Sequence, residues 1–123
     1  MAQKESLSCL AKRDLLNQTA VSVEKLLSWG NQYEQSGMLH DAVNFYEKAK
    51  ATDALHSLLK IVQEEGDTFL FKRINRILNR VPDRSEWLAL AHQAERLGKE
   101  AFAAEAFREV DKEGVQKQTS ANP

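Results

Sequence analysis

The side chains that most often carry chemistry are few in this chain and far apart. There are three histidines, His40, His56 and His92, and one cysteine, Cys9. Helical metal sites need ligands at i and i+4, and thiol sites need two cysteines close together. Neither HxxxH, HExxH nor CxxC occurs, and there is no glycine-rich phosphate loop or Gly-x-Ser-x-Gly turn. His40 precedes Asp41 at a helix start, where a carboxylate simply suits the dipole. No acid, base and nucleophile can be assembled into one pocket. An enzyme is therefore not expected, and neither is a cofactor or a metal. Cys9 has no second thiol to pair with, and its neighbours Leu7 and Leu10 suggest a helix-packed thiol.

A basic run is the other chemically pointed feature: Lys72, Arg73, Arg76, Arg80 and Arg84, opposed only by Asp83. Lys72, Arg76 and Arg80 repeat at i, i+4 and i+8, a spacing that puts them on one helix face. Arginine forks carboxylates and phosphates, so an acidic peptide, a phosphorylated partner or RNA could bind there. The alternative, which is favoured, is a solvated face balanced by acidic neighbours such as Glu64 and Glu65. The whole chain has 17 cations against 18 acids, a net charge of −1. That predicts no bulk attraction to nucleic acid or membrane.

The elements that must position these groups read as helices. Leu26, Trp29, Gly30 and Tyr33 fall at i, i+3, i+4 and i+7, one helical face. Gly37 stops that helix, and Ala42, Phe45, Tyr46 and Ala49 form the face of the next. Small Gly30 and Ala42 stand opposite large Trp29, Tyr33 and Tyr46, which lets two antiparallel helices approach closely. Leu55, Leu58, Leu59 and Val62 repeat the pattern, with Thr52 or Asp53 as cap and Gly66 as stop. Asp67 then caps a helix carrying Leu70, Ile74, Ile77, Leu78 and Val81, flanked by Phe69 and Phe71. Val81-Pro82 ends it. Asp83 with Glu86 starts the next helix, whose face is Trp87, Leu90, Ala91 and Ala94, closed by Gly98. The last helix presents Ala103, Ala106, Phe107 and Val110.

The run Leu26, Trp29-Gly30, Tyr33, Ala42, Tyr46, Ala49 resembles the tetratricopeptide repeat, a helix–turn–helix unit of about 34 residues. Trp87, Leu90-Ala91, Ala94, Gly98, Ala103, Phe107 and Val110 follow the same order, with Ala94 in place of the usual aromatic. The middle unit is divergent. The glycine stops are separated by 29 and 32 residues, both short of that period. The resemblance implies an all-α, TPR-like right-handed α-solenoid of about three helical hairpins plus an N-terminal helix. An ordinary helical bundle is the alternative.

The resemblance also implies a concave groove lined by positions just off the core stripe. These are Glu24, Leu27, Asn31 and Glu34, then Asp53, His56, Lys60 and Gln63, then Ser85, Leu88, His92 and Glu95. Some relatives clamp a peptide carboxylate with Lys and Asn at such positions. Asn31 matches one clamp site, but Leu27 and Ser57 replace a Lys and an Asn, so that clamp is not expected. The implied function is a protein–protein interaction module, an adaptor or scaffold that takes a partner segment. Binding of RNA or an acidic or phosphorylated ligand by the basic run from Lys72 to Arg84 is the alternative, and an enzyme or small-molecule regulator is a third.

A chain of 123 residues suits one domain. Residues 4–17 read as a helix with Leu7, Leu10, Ala11 and Leu15 near one face. A cap or half-repeat covers 1–20, the repeat domain 21–113, and a disordered tail 114–123. Thr19 or Ser22 would cap the second helix, unless one long helix continues to Tyr33. No apolar run is long enough to span a membrane and no secretory signal is evident, so a cytoplasmic setting is the default.

Overall fold

The computed structural model describes residues 8–17 and 22–121, with side chains described as far as residue 112. All secondary structure among the described residues is helical. It comprises α1 (Cys9–Asn17), α2 (Val23–Gln35), α3 (Leu39–Ala49), α4 (Thr52–Glu65), α5 (Thr68–Ile77), α6 (Arg84–Arg96) and α7 (Glu100–Ala121). The chain is therefore all-α. It divides into two compact units, Met1–Leu55 and His56–Pro123, with the division inside α4.

Local chemistry starts the helices where the sequence places the signals. Ser22 Oγ accepts from the Lys25 amide at 3.1 Å, so α2 begins afresh and does not continue α1. Thr19 lies outside the described residues. Asp67 Oδ1 accepts from Leu70 N at 3.1 Å at the start of α5. At α6 the Asp83–Glu86 capping box is complete: Glu86 N donates to Asp83 Oδ1 at 2.9 Å and Asp83 N to Glu86 Oε1 at 3.1 Å. α4 begins at Thr52 itself, so Thr52 and Asp53 form its first turn and do not cap it.

The helix ends share one device. After each of α2 to α6 one residue turns left-handed, and two amides fold back on the last turn. Gly37 N donates to Glu34 O at 3.0 Å and Met38 N to Tyr33 O at 2.9 Å; the same pair recurs around residues 50, 66, 79 and 98. Gly37, Gly66 and Gly98 take this conformation freely, whereas Lys50 (φ 55) and Asn79 (φ 54) take it with a side chain. A β-carbon there costs ~1–2 kcal/mol, less for Asn. Lys50→Gly is accordingly expected to stabilise the protein by about 0.5–1 kcal/mol, read as a higher urea midpoint, with a smaller gain for Asn79→Gly.

The αL turn at Asn79 also corrects the expected end of α5. Asn79 stops the helix soon after Ile77, before Pro82 can act, and Val81 is left 84% exposed outside the apolar stripe. α7 in turn runs through Gly114, where the sequence pattern ends it, to Ala121. One glycine costs a helix about 1 kcal/mol, too little to stop it among good helix formers such as Lys, Gln and Ala.

In the first unit α2 and α3 form an antiparallel hairpin, and α1 leans on α3. Ala42, Val43, Phe45 and Tyr46 are fully buried, and Tyr33 stacks on Phe45 at 5.5 Å. α1 turns an unexpected side inward. Leu15 is buried while Leu10 is 63% exposed, because Lys12, paired with Asp41 at 2.8 Å, fixes the face of residues 12, 15 and 16 toward α3. Cys9 is consequently exposed, not packed as expected. Leu7 lies outside the described residues.

In the second unit α6 and α7 form the other hairpin, and α5 packs on both. Leu58, Val62, Leu70, Phe71, Ile74 and Leu90 make the core, with Phe71 edge-on to Trp87 at 5.1 Å. Thr68 is fully buried and satisfied, its hydroxyl donating to Phe102 O at 2.6 Å. Phe69, unlike Phe71, faces out at 49% exposure.

Candidate functional site

The basic run does not form one stripe. α5 ends at Ile77, so Arg80 lies past the αL turn and leaves the face shared by Lys72 and Arg76. Lys72 bonds Glu105 and sits 2.8 Å from Glu109, both on α7. Burial alone would lower its pKa, but the two carboxylates outweigh that and raise it. Hydrogen bonds from Lys72 and Arg108 hold Glu105 down at about 2. Burial would raise Glu109, yet Lys72 and Lys112 bring it below the usual carboxylate range. Arg80 donates to Asn75 Oδ1 at 2.9 Å and pairs with Glu86. Arg73 is half-buried and engaged in an interaction of its own. Arg76 and Arg84 are exposed. The balancing acids are thus Glu105, Glu109 and Glu86, not the Glu64 and Glu65 that sequence neighbourhood suggests. Helix packing supplies them from 33 or more residues away for Lys72, a distance no local pattern reveals.

Two depressions matter more. The first, of about 420 Å³, belongs to the first unit and is lined by Leu27, Asn31, Lys50, Ala51, Thr52, Asp53 and Ala54. Leu27, Asn31 and Asp53 are groove positions expected from the sequence. Asn31 is fixed from below. The Tyr46 hydroxyl lies 2.7 Å from Asn31 Oδ1 and 2.6 Å from Glu34 Oε1. A phenol has one proton, so it donates to one acceptor at a time; turning the Asn31 amide lets its NH₂ donate to the phenol while the phenol donates to Glu34. Burial, then the Glu34 hydrogen bond and charge, push the Tyr46 pKa far up. Tyr46 is a fixed hydrogen-bonding post and not an acid or base. Glu34 is held against Tyr46 and does not line this depression.

The second depression, of about 580 Å³, lies within the second unit between α4 and α6. Its α4 wall is Lys60, Gln63 and Glu64, of which Lys60 and Gln63 were expected. Its α6 wall is Glu86, Ala89, Leu90, Gln93 and Arg96, about one residue on from the expected Ser85, Leu88, His92 and Glu95. One residue is ~100° of helix rotation, and the reason for it is visible. His92 packs edge-on against Phe107 of α7 at 5.6 Å, with Glu95 3.4 Å away, so that stripe faces the α7 side. Gln93 meanwhile reaches the Glu64 carbonyl at 2.6 Å and Lys99 the Glu65 carbonyl at 2.6 Å. These two bonds tie the C-terminal end of α4 to α6 and its following turn. His56 is exposed on α4 and lines neither depression.

No group of three or more potential metal ligands occurs among the described residues. No described helix is long and apolar enough to cross a membrane. Comparison of the chain with protein-family models, with curated proteins and with solved structures finds no match.

Proposed function

We propose that this chain is a TPR-like helical-repeat interaction module, an adaptor or scaffold that takes a segment of a partner protein in the depression between α4 and α6. The observation that carries the reading is the α4–α6 depression. It is built from the sides of two helices, with exposed Lys60, Glu64 and Arg96 and half-buried Gln63, Glu86 and Gln93 around a small apolar floor of Ala89 and Leu90. Such a surface suits a polypeptide better than it suits a small molecule, which needs an enclosed apolar pocket with a few aimed polar groups. Two further observations support it. The hairpins turn at Gly37 and Gly98, as repeat units would, and Gly30 and Tyr46 nest small against large. Lys72 and Arg80, two of the three cations of the regular basic spacing, are already paired, which takes weight from RNA or acidic-ligand binding by that run.

The test is site-specific photo-crosslinking in native lysate, with the reactive residue at Gln63, at Ala89 and, as control, at Val81. A discrete protein adduct at Gln63 and Ala89 but not at Val81 is expected, insensitive to nuclease and to Arg76→Glu/Arg84→Glu. Adducts that vanish with nuclease or with that variant would move the function to the basic run.

A further inference from the structure

We infer that the segment received between α4 and α6 is acidic, carrying Asp or Glu side chains that reach Lys60 and Arg96 across the apolar floor of Ala89 and Leu90. The inference rests on the interaction-module reading above and specifies its partner. It follows from what each polar group on the walls is already doing. Two of the four acceptor side chains on the walls, Glu86 and Gln93, are taken. Glu86 receives Arg80 on one carboxylate oxygen and the Asp83 amide on the other. Gln93 gives its NH₂ to the Glu64 carbonyl, and its own oxygen is taken by Arg96.

The donors are largely unused. Lys60 is an exposed ammonium with three N–H groups, and Arg96 directs only part of a five-donor fork at Gln93. Gln63 adds an amide beside Lys60. One wall thus offers Lys60 and the other Arg96, with Ala89 and Leu90 as floor between them. Of the two acids on the walls, Glu86 is neutralised by Arg80, and Glu64 alone opposes the two cations. A carboxylate placed between the walls gains charge-assisted hydrogen bonds from both. A basic segment would meet two like charges and only Glu64 in its favour. A nucleic-acid strand fits less well, because its regular phosphates need a run of cations and this depression offers two, with Glu64 among them.

The experiment uses two short amphipathic peptides of equal length and identical leucine positions, one with glutamates elsewhere and one with lysines, and an oligothymidylate. Each is titrated into the full, isotope-labelled chain while backbone amide shifts are followed. The glutamate peptide is expected to move the amides of Gln63, Ala89 and Gln93. Lys60→Glu/Arg96→Glu should weaken it about tenfold or more, with Lys60→Gln/Arg96→Gln intermediate. Both positions are exposed, and unchanged thermal melting verifies that each variant is folded. Equal shifts at those amides from the lysine peptide would overturn the acidic assignment while leaving the module reading intact. Absence of shifts there with either peptide, or larger ones with the oligonucleotide, would overturn both.

Discussion

Replacing Gly30 by leucine is expected to destabilise the first unit by roughly 1–3 kcal/mol, toward the upper end of that range. Overlap begins at the first added atom. A β-carbon on Gly30 would lie 2.5 Å from Tyr46 Cε1 and 2.9 Å from Cδ1. The ring cannot swing aside at low cost. It is fully buried, and its hydroxyl is held between Asn31 and Glu34. Moving it would strand a phenol in the core or open a void beside Phe45. Gly30→Ala sharpens the test, because alanine should improve an isolated helix by about 1 kcal/mol. Here that gain is expected to be cancelled or reversed. Adding Tyr46→Leu should restore it, a non-additivity characteristic of residues in contact. The measurement is urea unfolding of the single and double variants. A stabilising Gly30→Ala in the unaltered background would show that α2 and α3 are not in close approach at this point.

That contact was legible in advance because bulk alternates within one short stretch, where both helices and their turn are local. The same holds for the caps at Ser22, Asp67 and Asp83, whose partners lie three residues away. It also holds for the glycine turns at Gly37, Gly66 and Gly98. What could not be read were properties set by distant partners. Lys72 looks like a ligand-seeking cation until α7 brings Glu105 and Glu109 to it. His92 looks like a groove residue until Phe107 draws it to the other side of α6. Periodicity fixes which residues share a helix face, but the rotation of that face is set by tertiary packing, and one residue of rotation replaces Leu88, His92 and Glu95 by Ala89, Gln93 and Arg96. Asn79 is a subtler case. Its capacity for the left-handed conformation was present in the sequence, yet the later and stronger signal of Pro82 masked it.

Gly66→Ala is expected to cost more than the same change at Gly37 or Gly98, and the difference isolates the α4–α6 junction. All three glycines have positive φ, of 80, 68 and 75° for Gly37, Gly66 and Gly98. Each therefore loses about 1–2 kcal/mol of backbone energy on gaining a side chain. At Gly37 and Gly98 nothing lies within 4 Å of the added carbon, and the cost should stop there. At Gly66 the new carbon would meet Ala94 Cα at 2.9 Å and Ala94 N at 3.0 Å. Those are backbone atoms in the middle of a helix and cannot rotate away. The end of α4 must then lift from α6, adding a further 1–3 kcal/mol or so of overpacking. It would take with it the bonds from Gln93 to Glu64 and from Lys99 to Glu65, and with them the spacing of the walls that hold Lys60 and Arg96. Unfolding of the three alanine variants, followed together with the amide shifts of Gln63 and Gln93, checks both consequences. Equal losses at all three sites, with the Gln63 and Gln93 amides unmoved in Gly66→Ala, would mean that α4 does not depend on Ala94 for its seat and that the depression has some other support.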